Sequence, residues 1–187
     1  MFKRLSGRLI SLSKGWVVLV AVAVFLLFSA LVLPGQSAQS KARLGGGAQP
    51  DTSLIYSADD LYRMAEAFGP AGRQAYIQTR LTFDVIWPLV YAFFLITSIS
   101  WLAGRAFRSG SPWRLLNLVP VLGIALDYLE NSATVIVMAR YPRHTPVIDL
   151  LAPIFTFSKW AFVGGSFAVL LMTAAVAGWR WIARRPV

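Results

Sequence analysis

The chain contains no cysteine. That absence excludes disulfides, thiolate catalysis, cysteine-ligated zinc and CxxC redox relays. It also sets the chain apart from the four-helix quinone reductases and the claudin-like junction proteins. Histidine occurs once, at His144. Sites built from several histidines, such as di-iron desaturase-type centres and bis-histidine haem, are therefore excluded too. Acids are scarce: 8 Asp and Glu stand against 18 Lys and Arg, for a formal charge of +10.

In a soluble protein such a balance points to nucleic acid. Here 57% of the residues are hydrophobic, above the roughly 45–50% of an ordinary soluble domain. Mean hydropathy is +0.60. The excess is gathered into long runs, and the basic residues flank them. The expected class is an integral membrane protein whose basic segments touch lipid headgroups, with no nucleic-acid partner.

Four runs reach the roughly 20 apolar residues that a bilayer-crossing helix needs. Residues 1–15 form a basic N-terminus. The first span, 16–33, is longer than the roughly 7–15-residue core of a signal peptide, and a poor small-residue cleavage site follows it, so it reads as uncleaved. Residues 34–80 form a loop. Its first part, to residue 55, holds Pro34, Gly45, Gly46, Gly47 and Pro50 and reads as a flexible connection. Ser57 followed by Asp59 and Asp60 marks a helix start. Leu61, Tyr62, Ala65 and Phe68 recur at helical spacing, Gly69-Pro70 breaks the helix, and 71–79 resumes it. Together these predict a short amphipathic elbow lying on the membrane. Spans at 81–103, 115–138 (kinked at Pro120) and 153–177 follow. They are separated by a basic loop at 104–114 and a loop at 139–152, and a basic tail at 178–187 closes the chain. The predicted fold is all-α, a four-helix transmembrane bundle with the elbow between spans one and two.

Charge sets the orientation. The N-terminus, the 104–114 loop and the tail share one side. That side holds Lys3, Arg4, Arg8, Lys14, Arg105, Arg108, Arg114, Arg180, Arg184 and Arg185, with no acid. The other side mixes seven basic with five acidic residues. The positive-inside rule places both termini in the cytoplasm of a plasma (inner) membrane.

The third predicted span carries Asp127, Glu130 and Asn131. A charge near the bilayer centre costs roughly 2.5–3.5 kcal/mol on insertion scales, so two carboxylates one turn apart need partners. The three residues share a helical face. Lys159 on the fourth span and Asp84 on the second fall with them in the middle-to-outer half of the membrane, Tyr91 shares a face with Asp84, and Arg80 lies just above. These residues predict a polar pocket opening outward. Asp127 and Glu130 are its central acids and its candidate catalytic pair, Lys159 is their counter-charge, and Asp84, Arg80 and Tyr91 form a gate. Asn131 is a further ligand-binding candidate. The acids carry oxygen donors of the kind Ca²⁺ and Mg²⁺ take, but their spacing fixes no site. Neither metal nor cofactor is expected.

The first functional expectation is binding of a lipid-like or small polar ligand. The second is an accessory or assembly subunit of a larger membrane complex, or a homo-oligomer, in which a Lys159–Glu130 or Lys159–Asp127 pair is purely structural. The third is a lipid-modifying enzyme using the carboxylates as acid and base. Ser166 follows two glycines, but His144 sits in a loop far from it, so a Ser-His pair fails on geometry. Gly164 and Gly165 read as a surface for close helix contact.

Overall fold

The computed structural model describes residues 1–44 and 46–183. Gly45 and the tail charges Arg184 and Arg185 lie outside the described residues. The described chain is 86% helical and contains no strand.

The basic N-terminus is itself a helix, α1 (Phe2–Leu12). It packs on a later helix so closely that a Cβ at Gly104 would lie 3.1 Å from Ile10 Cγ2. Helix α2 (Gly15–Leu31) is followed almost at once by α3 (Leu33–Leu44). The flexible connection expected from residue 34 is therefore helical through Leu44. Pro34 withholds the amide that the Ala30 carbonyl would accept. The ladder is interrupted there and restarts with Gln36 N–H donating to Val32 at 3.1 Å. A 3-10 turn at Pro50–Thr52 leads into α4 (Ala58–Leu81). Ser57 and Asp60 form a reciprocal capping box at its start: Asp60 N–H donates to Ser57 Oγ at 3.2 Å, and Ser57 N–H donates to Asp60 Oδ2 at 2.8 Å. Gly69, at φ 62° and ψ 178°, bends α4 into two arms. Only glycine adopts that conformation without strain.

Thr82 separates α4 from α5 (Phe83–Ala106). A 3-10 segment, Pro112–Leu118, precedes α6 (Val119–Arg140). Pro120 thus sits in the first turn of α6, where its missing amide has no helical partner to lose. It does not kink a span that begins at 115. Helix α7 (Ile148–Ala183) starts five residues before the expected 153 and runs past 177, with Pro153 inside it. Its early start is held by Tyr62, whose hydroxyl accepts from Thr145 N–H at 2.7 Å and donates to Asp149 Oδ2 at 3.1 Å.

Helix α6 lies along α7, and α5 sits between α2 and α7. The close approach of α6 to α7 depends on Gly123, where a Cβ would stand 3.2 Å from Val163 Cγ2. Gly164 and Gly165, the expected contact glycines, face nothing within 4 Å. The elbow packs Leu61, Ala65, Phe68 and Tyr76 against Ala133, Val137 and Met138. In water, each fully buried aliphatic side chain of this kind contributes about 1.5–3 kcal/mol. Among the described residues, four helical stretches are long and apolar enough to cross a bilayer: Gly15–Leu44, Ala58–Ala106, Pro112–Arg140 and Ile148–Ala183.

Candidate functional site

Helix α6 carries the centre of the site. Asp127, Glu130 and Asn131 are spaced to share one face of it, and all three are buried. From α7, Lys159 reaches across. Its Nζ donates to Glu130 Oε2 at 2.8 Å and stands 3.7 Å from Asp127 Oδ1. Of the two pairings open from the sequence, the tight one is with Glu130. From α5, Tyr91 Oη donates to Asp127 Oδ2 at 2.7 Å. Asn131 Nδ2 donates to Asp127 Oδ1 at 3.3 Å. The Asp127 carboxyl thus has a phenol and an amide as hydrogen-bond donors and an ammonium beside it.

Arg80, at the end of α4, is the second cation. It is 6% exposed, and its ring partner is Tyr76, 4.5 Å from the guanidinium carbon. Nη1 donates to Asp84 Oδ2 at 2.8 Å and to Asn131 Oδ1 at 3.4 Å. Nη2 lies 2.7 Å from Asp51 Oδ1. Asn131 therefore joins the two halves, accepting from Arg80 and donating to Asp127. All seven residues singled out in the sequence meet in one network: Asp84, Asp127, Glu130, Asn131, Lys159, Tyr91 and Arg80.

Asp51 is the member that sequence reasoning placed elsewhere, among the loop charges. The 3-10 turn carries it inward, and Trp160 Nε1 holds that turn by donating to the Asp51 carbonyl at 2.9 Å. Burial raises the pKa of the Asp51 carboxyl, but the charges of Arg80 and Lys159 outweigh that and hold it below its ordinary value of 3.8. Pro50 was the one local signal, since it favours a turn. Nothing local said which way the turn points. A neighbouring contact was also illegible: the Tyr56 and Thr156 hydroxyls meet at 2.9 Å.

The network borders a cavity of about 320 Å³. Its polar wall is Asp51, Arg80, Asp84, Tyr91, Asp127 and Lys159. Its apolar wall is aromatic: α2 brings Phe25, α5 brings Phe83 and Trp87, and α7 brings Trp160 and Phe167. Phe25 and Trp87 stack at 5.8 Å. Beyond lies a second hollow of about 390 Å³, against α3 and the 46–52 segment. Asp51, Arg80, Asp84 and Phe83 line both spaces, so the Asp51–Arg80–Asp84 ion triad forms the partition between them.

Two expectations change. Glu130 and Asn131 do not line the cavity. Glu130 is 0% exposed and accepts from the Lys159 ammonium at 2.8 Å. Tyr91 lines only the inner space, bonded to Asp127, whereas Asp51 lines both spaces. Four carboxylates (Asp51, Asp84, Asp127, Glu130) share two cations, which leaves a formal excess of negative charge on the cavity side. No group of His, Cys, Asp and Glu among the described residues is arranged to hold a metal ion.

A second polar knot lies at the opposite end and was also not foreseen. Asn117 Nδ2 donates to Ser100 Oγ at 2.9 Å and to the Ser6 carbonyl at 3.2 Å. Ser6 Oγ donates to the Arg114 carbonyl at 3.0 Å. These bonds tie α1 to the 3-10 segment and α5. The apolar spacing of Phe2, Leu5, Leu9 and Leu12 was the available signal for α1. Ser166, the rejected nucleophile, donates to the Phe162 carbonyl of its own helix at 2.7 Å.

Comparison with protein-family models, with curated proteins and with solved structures yields no match to this chain.

Proposed function

We propose that this protein is an integral membrane four-helix bundle that binds a lipid-like or small polar ligand in a pocket facing the outer side of the membrane. In this reading it lies in the plasma (inner) membrane with both termini in the cytoplasm. Membrane residence is supported by α2, an apolar helix in which Ala21 is the one buried residue, leaving an apolar face larger than the patches a soluble monomer tolerates. Orientation is supported by the acid-free basic segments at one end of the bundle.

The observation that carries the ligand reading is the two-sided cavity. At about 320 Å³ it falls in the range of small-molecule sites, roughly 300–1,000 Å³. Fixed charges on one wall suit a polar head, and the aromatic wall suits an apolar body. Ionisable groups inside a membrane are costly and mark function by default. Asp127 and Lys159 would contact the head. The Asp51–Arg80–Asp84 triad would govern entry from the outer hollow, and Glu130 would hold Lys159 in place.

The test is native mass spectrometry of the protein taken gently from its own membrane into nanodiscs. The expected result is a retained small-molecule or lipid adduct on the wild type that is lost in Asp127→Asn. Asp127→Asn keeps the side-chain shape and still accepts from Tyr91. Co-extraction of defined protein subunits with no adduct would instead favour a structural cluster in a larger complex.

A further inference from the structure

The end of the molecule opposite the elbow holds a second concentration of charge. A groove of about 550 Å³ lies between the 104–114 segment and the last turns of α7. Arg105, Arg108, Arg114 and Arg180 line it, together with Phe107 and Trp181. The stretches 85–126 and 150–187 contain no Asp or Glu to neutralise them.

Two of the four guanidiniums are fixed from behind. Arg114 donates from Nε and Nη2 to the Phe107 carbonyl at 3.1 and 2.9 Å, and from Nη2 to the Gly104 carbonyl at 3.3 Å. Arg105 lies over the Trp101 ring at 3.7 Å and donates to the Trp101 carbonyl at 3.2 Å. Arg108 and Arg180 form no ion pair among the described residues. The positive-inside rule asks only that basic residues lie on one side. Arg4 and Arg8 on α1 satisfy it outside this groove. Convergence of four arginines from two distant segments onto one hollow is a further feature, and uncompensated like charges repel unless an anion sits among them.

We propose that this groove is a binding site for a phosphate-bearing anion. Arg114 is its preorganised side, and Arg108 and Arg180 close on the ligand. The planar guanidinium fork matches phosphate oxygens two at a time. Phe107 and Trp181 give the groove an apolar flank, as a phospholipid with its acyl chains along α7 requires. A phospholipid source rests on the membrane reading above, whereas the phosphate chemistry does not.

The full chain is tested with two probes. Native mass spectrometry compares phosphatidylcholine nanodiscs with and without phosphatidylglycerol. Thermal melting in an uncharged detergent is followed as inorganic phosphate is added. The groove variant is Arg108→Gln/Arg180→Gln. Its control, Arg4→Gln/Arg8→Gln, removes the same charge from the same end. The wild type and the control are expected to retain phosphatidylglycerol, and the groove variant to lose retention by about tenfold. Stabilisation of the wild type but not the groove variant by phosphate, without lipid preference, would assign the same site to a free phosphate. Either double variant must melt as a folded protein, and the single Arg108→Gln change serves if the pair does not. Equal loss in both double variants, or a wild type indifferent to both probes, overturns the proposal. Neither result depends on the elbow-end cavity, whose own adduct is read through Asp127→Asn.

Discussion

At the scale of single residues, the decisive group is Lys159. Lys159 is 5% exposed, and its ammonium faces two carboxylates, one of them on a fully buried residue. Removing one member of a buried pair leaves an uncompensated charge and costs about 3–5 kcal/mol, whereas replacing both is often neutral. Lys159→Met alone is therefore expected to lower the melting temperature sharply, and Lys159→Met/Glu130→Gln to recover most of it. Thermal melting checks both parts, and adduct retention checks the ligand role. Lys159 lines the cavity, so under the proposed function the stable double variant still fails to hold the ligand. A double variant that regained both stability and adduct would make the pair a scaffold only. That Lys159 would meet an acid of α6 was legible, because charges within apolar runs need partners and helical rise sets their heights along each helix, while the choice between Glu130 and Asp127 was left open. That Glu130 stands behind the ammonium, out of the cavity, was not legible, because rotation of α6 about its axis is set by what packs against it.

At the scale of elements, the close contact of α6 with α7 rests on Gly123, a glycine that the sequence did not single out. A Cβ at Gly123 meets Val163 Cγ2 at 3.2 Å and Val163 N at 3.6 Å. The first contact is tighter than ordinary packing, so the Val163 side chain, stiff about χ1 because it is β-branched, must give by a few tenths of an ångström to admit it. Gly123→Ala is expected to destabilise by about 1–3 kcal/mol, while Gly164→Ala and Gly165→Ala, facing open space, leave melting unchanged within about 0.5 kcal/mol. Comparable losses at all three positions would show that α7 presents a different face to α6. Existence of the apolar helices and the Gly69 bend followed from composition and from chemistry local to a few residues. Their ends did not. Pro34, Pro120 and Pro153 all read as boundaries or kinks, yet a proline near a helix start loses little, and the flanking turns are held by distant partners such as Tyr62.

At the scale of the whole molecule, the absence of cysteine supplies a direct test of orientation. Single cysteines at exposed positions, Ala48→Cys near the elbow and Ser109→Cys in the basic loop, are the only thiols in their chains. In intact cells, a membrane-impermeant maleimide is expected to label Ala48→Cys and to reach Ser109→Cys only after permeabilisation. The reverse pattern would turn the bundle over and place the ion cluster on the cytoplasmic side. Labelling of both in intact cells would exclude a sealed membrane between the two ends.

The sequence by itself determined the class of element, because apolar runs of roughly 20 residues exceed the length of ordinary strands and satisfy their own backbone as helices. It also determined the asymmetry of the two ends, because charge is written directly in the residues. And it determined that Asp84, Asp127, Glu130, Lys159 and Arg80 must find one another, because each is too costly to leave alone among apolar neighbours. Tertiary structure alone decided who meets the cavity. It turned Asp51 inward from a loop, placed Tyr91 deep beside Asp127, closed Glu130 off behind Lys159 and gathered four arginines around one groove. Those outcomes depend on helix rotation, on the path of short turns and on contacts between residues far apart in the chain, none of which is encoded in the spacing of neighbours.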